Sequence, residues 1–141
     1  MYAPHTVTLF NASEGENFEV THNVTVLRGV FLDVTQGVSV KQSGLDNADK
    51  ATLFIPKSAV SEGLTGGNKR YINPVEYERA GDKAGVWTLR TDGDFFVKGI
   101  ATTEGRFETI NAQYSDVYRI NSVSLLDFGT PDMQHFEVGG H

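Results

Sequence analysis

Thr6-Val7-Thr8-Leu9-Phe10 alternates polar and apolar side chains, the two-residue period of a half-buried strand, and the same period returns along much of the chain. From Phe18 to Leu27 it sets Phe18, Val20, Val24 and Val26 on one parity. Arg28-Gly29 marks a bulge or turn, after which Val30, Leu32 and Val34 resume the alternation. Gln36-Gly37 then turns the chain toward Val38-Ser39-Val40, so this half reads as hairpins and meander.

The breaks between these runs predict the remaining elements. Asn11 to Asn17 has loop chemistry, and Gly44 to Asp49 is rich in Asx residues that bond their own backbone. The strand Ala51–Ile55 is stopped by Pro56, which has no N–H to donate to a ladder. Residues 57–70 are Ser/Gly-rich around Gly66-Gly67 and lack a core pattern, which predicts a projecting or mobile loop. Asn73 before Pro74 is an N-cap with proline in the first turn, so a short helix is expected from Pro74 to Ala80. Asp92-Gly93 between Gly85–Arg90 and Phe95–Lys98 is the strongest hairpin signal in the chain. Thr102-Thr103-Glu104 is suited to cap a helix carrying Phe107, Ile110 and Tyr114 at helical spacing. A long strand over Asp116–Leu126, a turn over 127–132 and a last strand from Gln134 to Val138 complete the chain and tie its C-terminus into the sheet. The expected fold is mainly β, an antiparallel β-barrel or sandwich with one or two short helices, in a single domain spanning 1–141.

Composition narrows the function classes. A chain of 141 residues with 39% hydrophobic and 11% aromatic side chains is well supplied for one core. It has no cysteine, which removes disulfides, thiolate metal sites and a cysteine nucleophile together. The N-terminus lacks the pattern of a signal peptide, so the sequons at Asn11 and Asn23 have no secretory context. No apolar run has the length of a membrane span. The net charge is −6, and it is uneven: residues 1–70 carry 6 Lys+Arg against 7 Asp+Glu, residues 71–141 carry 6 against 11. No basic cluster exceeds Lys69-Arg70, so specific nucleic-acid binding and an anionic membrane are not expected. A protein partner, or copies of the chain itself, fits this balance better.

Candidate chemistry fails on spacing. His5 and His141 lie at the termini, while His22 and His135 are isolated, so no metal-ligand pair is present in the sequence. Asp92 and Asp94 resemble the start of a calcium loop, but the twelfth position from Asp92 is Thr103 in place of a glutamate. Glu76, Glu78 and Asp82 read as the solvated face of the short helix. Gly63 to Arg70 has glycines ahead of a lysine but lacks the spacing of a phosphate loop. The weakest class is a hydrolase built on Asp92, Asp94 and His135. Trp87 reads as core, and the neighbours Phe95-Phe96, which point to opposite faces of a strand, fit either a contact between subunits or a sheet covered on both sides. No catalytic, cofactor-binding or metal-ligating residue is assigned, no cofactor is expected, and the chain is read as not an enzyme.

An ordered set of short motifs adds to this reading. Val26-Leu27-Arg28-Gly29-Val30 comes first, then Gly44 through Asp49 and the strand Ala51–Pro56. Trp87-Thr88-Leu89, Gly93-Asp94 and Val97-Lys98-Gly99 follow, then Asp116-Val117, Ile120 and Ser122-Val123. The series closes with Gly129-Thr130-Pro131-Asp132-Met133-Gln134-His135-Phe136 and Gly139-Gly140. Spanning about residues 24–140, it resembles small proteins from the structural gene clusters of tailed phages and prophages of Gram-positive hosts, the group of minor capsid and head–tail connector proteins. The resemblance implies a structural virion protein, assembled in the host cytoplasm. Its expected role is a head–tail connector of the stopper or head-completion type, or a tail-completion protein, acting by ring assembly. Its partners would be copies of itself in a ring and adjacent virion proteins, portal/adaptor or tail proteins. A minor capsid or head-decoration protein is the alternative within that class, and a carbohydrate- or peptide-binding β-sandwich the alternative outside it.

Overall fold

The computed structural model describes residues 3–14, 20–35, 50–64, 66–91, 93–101, 107–114, 116–126, 129 and 133–141. Its core is a closed barrel. Strand β1 (His5–Glu14) pairs with β2 (Val20–Thr35), β2 with β3 (Lys50–Pro56), and β3 with β9 (His135–Gly140). Strand β9 pairs with β8 (Val117–Leu126), β8 with β7 (Phe95–Lys98), and β7 returns to β1, every pairing being antiparallel. Six strands thus close on themselves, the barrel form of the two architectures expected. Strand β4 (Val60–Glu62) adds to β2, and β5 (Arg70–Tyr71) pairs in parallel with β6 (Val86–Trp87).

The alternation read along the chain fills the interior. Val7 and Leu9 of β1, Leu53 and Ile55 of β3, Phe96 of β7 and Val138 of β9 meet in one buried cluster. Strand β2 changes parity partway, from Leu27 to Val30 and Leu32. The cause is a bulge at Gly29, which sits at φ +79 where Thr6 pairs with Arg28 but His5 with Val30. Arg28-Gly29 is therefore a bulge within one long strand. Val24 and Val26, the parity expected to face the core, lie on the other side of β2 and are buried there as well.

Both helices cover outer faces. Helix α1 (Pro74–Arg79) begins as its capping residues predict, with Asn73 Oδ1 accepting the Glu76 N–H at 2.9 Å and Asn73 Nδ2 donating to Glu76 Oε1 at 2.7 Å. It buries Tyr77 against Ile72 and Val86. Helix α2 (Phe107–Gln113) brings Ile110 onto Phe10, Val24 and Phe95. Phe95 and Phe96 accordingly divide between this outer cluster and the barrel interior, so the pair is covered on both sides within one chain.

Three expectations need correction. The run 11–14, read as loop, belongs to β1, because Asn11 is fully buried and fully hydrogen-bonded there. The 85–98 segment is not a hairpin: β6 pairs with β5 and β7 with β1 and β8. Its Trp87 and Leu89 enter the barrel core, in the same cluster as Phe96 of β7. Within 57–70, where no strand was expected, β4 pairs with β2, the Lys69 N–H reaches Ser61 O at 2.9 Å, and Asn68 bridges to Glu62. The turn expected at 36–37, the loop 44–49, the cap at 102–104 and most of the 127–132 turn lie outside the described residues.

The C-terminal strand that helps close the barrel brings Gly140 close against Tyr118 and Phe96. A Cβ on Gly140 would stand 3.0 Å from Tyr118 Cβ and 3.1 Å from the Phe96 ring. Gly140→Ala should therefore destabilise the fold by about 1–3 kcal/mol. Gly81→Ala, where nothing lies within 4 Å, should stay within roughly 0.5 kcal/mol of the parent. Urea midpoints of the two variants provide the comparison.

Candidate functional site

The polar side chains singled out in the sequence do not converge. Asp94 directly precedes β7, and its carboxylate is completely engaged: Oδ1 accepts from Ala12 N–H at 3.0 Å and Arg90 Nη2 at 2.9 Å, and Oδ2 from Asn11 Nδ2 at 2.8 Å and Arg90 Nε at 3.1 Å. Asp92 lies outside the described residues. His135 is packed on Phe54, with Nδ1 2.8 Å from Met133 O. Asp94 O accepts the Ile120 N–H while His135 pairs with Leu126, so about 20 Å of strand separates the two. The structure does not assemble the hydrolase constellation of Asp94 and His135.

The other histidines are occupied locally. His5 Nδ1 accepts the Leu32 N–H at 3.0 Å and extends the β1–β2 ladder beyond the bulge. His22 lies edge-on to Phe95, and His141 Nδ1 is 2.9 Å from Asn121 Nδ2. Among the described residues no three of His, Cys, Asp and Glu gather as metal ligands do. Glu76, Glu78 and Asp82 are exposed on and just after α1.

The glycines of 63–67 do not lead into a helix. Gly66 and Gly67 take φ +91 and +87 in a turn closed by Gly63 N–H to Gly67 O at 3.1 Å. Lys69 then turns its ammonium onto β2, donating to Asn23 Oδ1 at 2.7 Å, Val24 O at 2.8 Å and Thr25 Oγ1 at 3.0 Å. Burial lowers its pKa from 10.5 to about 8, against the pull of those three acceptors. Asn23 is held in its turn by Nδ2 donating to Lys83 O at 2.7 Å and Val86 O at 2.9 Å.

This anchoring forms one wall of a cleft of about 410 Å³ whose lining includes Ile55, Trp87 and Phe136 of the core cluster. Its floor is three aromatic rings from three separate segments. Tyr71 lies 4.5 Å from Phe136 and 5.2 Å from Trp87, with Trp87 6.3 Å from Phe136, all tilted or edge-to-face. Ala59 and the half-exposed Leu125 extend the apolar lining. Lys57, Lys69 and Arg70 line it, and among the described residues no carboxylate borders the space, although the chain as a whole is acidic. Trp87 is only 5% exposed, and among the described residues its Nε1–H has no acceptor. The core reading of Trp87 holds, but the same ring borders this cleft.

The cleft escaped the sequence reading because its rings are 16 and 49 residues apart, in β5, β6 and β9. One signal was present in the chain: Lys69-Arg70-Tyr71, the one basic pair, directly follows the glycine turn.

A protein-family model matches residues 2–141, and its description is Family of unknown function (DUF6751). No curated protein and no solved structure matches the chain.

Two measurements follow from the polar contacts. Asp94→Asn leaves the Arg90 guanidinium, whose side chain is 15% exposed, without its charge partner and should cost about 3 kcal/mol. Breaking the exposed Arg28–Glu62 pair should cost less than about 1 kcal/mol. For Lys69, the unfolded chain holds the ammonium proton to higher pH than the folded one. The folded state is therefore penalised below pH 8, and this group's contribution to stability rises as pH climbs from 8 toward 10. Urea midpoints at pH 7, 8 and 9 should show that rise in the parent and not in Lys69→Met.

Proposed function

The chain belongs to the DUF6751 family, and we propose that it is a structural virion protein of a tailed phage, a head–tail connector of the stopper or head-completion type, or a tail-completion protein, that works by assembling into a ring. The observation that carries this reading is an open strand edge on an otherwise closed barrel. Strand β8 pairs with β7 only over Val117–Arg119, yet it continues to Leu126. Among the described residues no strand pairs with 121–126 on that side, and Leu125 there is 48% exposed. An unpaired edge offers a row of backbone donors and acceptors to a strand of another chain.

A ring is made by repeating one contact between two dissimilar surfaces until rotation closes it. The barrel has such surfaces: the open edge of β8 on one flank, and elsewhere the outer face covered by α2. Each contact can be weak, because symmetry sums many of them. The ordered motif set points to the same class, and a negatively charged ring allows DNA to pass a neck without exchanging its counterions for protein cations. No helix of the described residues is long and apolar enough to cross a membrane.

The test is a phage genome from which this gene is deleted. The expected particles are filled heads and separate tails that do not join, and the parent virion should contain about six or twelve copies of the chain by quantitative mass spectrometry. Absence of the chain from purified virions, or intact particles from the deletion, refutes the proposal. Copies in the hundreds favour the minor capsid or decoration role.

A further inference from the structure

We propose that the cleft floored by Tyr71, Trp87 and Phe136 docks an acidic segment of a partner protein, with an apolar side chain on the rings and a carboxylate at Lys57 and Arg70. The site stands on its own geometry and does not depend on ring formation.

Two independent observations converge on an occupant of this kind. The first is charge. The protein carries a net −6, yet Lys57 and Arg70 are exposed at the cleft, and among the described residues neither has an ion-pair partner and no carboxylate lines the space. Cations collected at one depression of an acidic surface attract a carboxylate locally and repel it elsewhere, which gives position to the contact. The second is shape. The rings and Leu125 make an apolar depression of about 410 Å³, at the lower end of the range for ligand pockets and large enough for one or two side chains.

The segment 57–71 is prepared for this role before any partner arrives. Lys69 is tied to β2 by three hydrogen bonds, and Ser61 Oγ donates to Lys69 O at 2.7 Å, so Arg70 and Tyr71 project from a braced backbone. Little ordering remains to be done on binding. An anion in the cleft also favours the ammonium of Lys69, whose burial disfavours it in the free protein.

Trp87 is the single tryptophan, so its fluorescence reports the cleft directly. The probes are a capped peptide containing Leu-Glu-Leu-Glu and its Leu-Gln-Leu-Gln counterpart, titrated into the full chain at a concentration where mass photometry shows monomer. The acidic peptide should change Trp87 emission in a saturable way, and the glutamine peptide should bind at least about tenfold more weakly. Lys57→Gln/Arg70→Gln should weaken the acidic peptide about tenfold at low salt, with the far-ultraviolet circular dichroism unchanged, and 0.5 M salt should do the same to the parent. Equal binding of both peptides, no response to the acidic one, or a response that survives the double substitution overturns the proposal. None of these results bears on whether the chain is found in a virion.

Discussion

The barrel depends on what the Asn11 side chain does inside it. A strand position facing a core calls for an apolar residue, and Asn11 follows Val7 and Leu9 on that face while being fully buried. Its amide acts as one residue of a missing strand. Oδ1 accepts the Thr88 N–H at 3.2 Å, and Nδ2 donates to Thr88 O and Asp94 Oδ2, each at 2.8 Å. Beyond its short parallel pairing with β5, the segment that carries Trp87 and Leu89 into the interior is held by this amide. Arg90 extends the same network to Asp94 and to the carbonyl of Ala12, and its guanidinium lies 5.0 Å from the Tyr77 ring center. An apolar replacement at Asn11 would orphan a buried N–H and a buried carbonyl together, which is costlier than losing the asparagine's own contacts.

That interaction explains the largest failure of pattern reading. Asp-Gly between apolar runs signals a hairpin because local turn geometry commonly decides pairing. Here the strands on either side find better partners farther away: Val86 and Trp87 against β5, Phe95 to Lys98 between β1 and β8. The deciding groups, Asn11 and Asp94, are 83 residues apart in the chain, and no window of sequence contains both. Asn11 itself was read as loop on its residue type, since asparagine favours turns unless a buried partner takes its amide.

Most other elements were legible because their signals were local. The period-2 runs mark β1, β3, β8 and β9, Asn73-Pro74 marks the start of α1, and Gly29 marks the bulge. The bulge also shows why parity is less legible than strand position. One inserted residue moves every later side chain to the other face, so the interior set switches from Leu27 to Val30. Strand β4 was invisible for a different reason. At three residues it has no period to read, and it is held by Lys69 reaching back to β2.

Lys69 connects the fold to the cleft. Its ammonium gives up hydration to bridge Asn23, Val24 and Thr25, and that cost is visible in a pKa lowered to about 8. A lysine held this way is unavailable as a surface charge, yet it sets where its neighbours in the chain emerge. Arg70 and Tyr71 follow immediately, one placing an exposed cation at the cleft and the other closing its aromatic floor. The glycine pair before Lys69 supplies the positive φ values that turn the chain back toward β4. What the sequence shows as a basic pair after a Gly-rich loop is thus two lysine and arginine roles of opposite kind. Lys69 is spent on structure, and Arg70 is left exposed at the surface on the backbone that Lys69 braces.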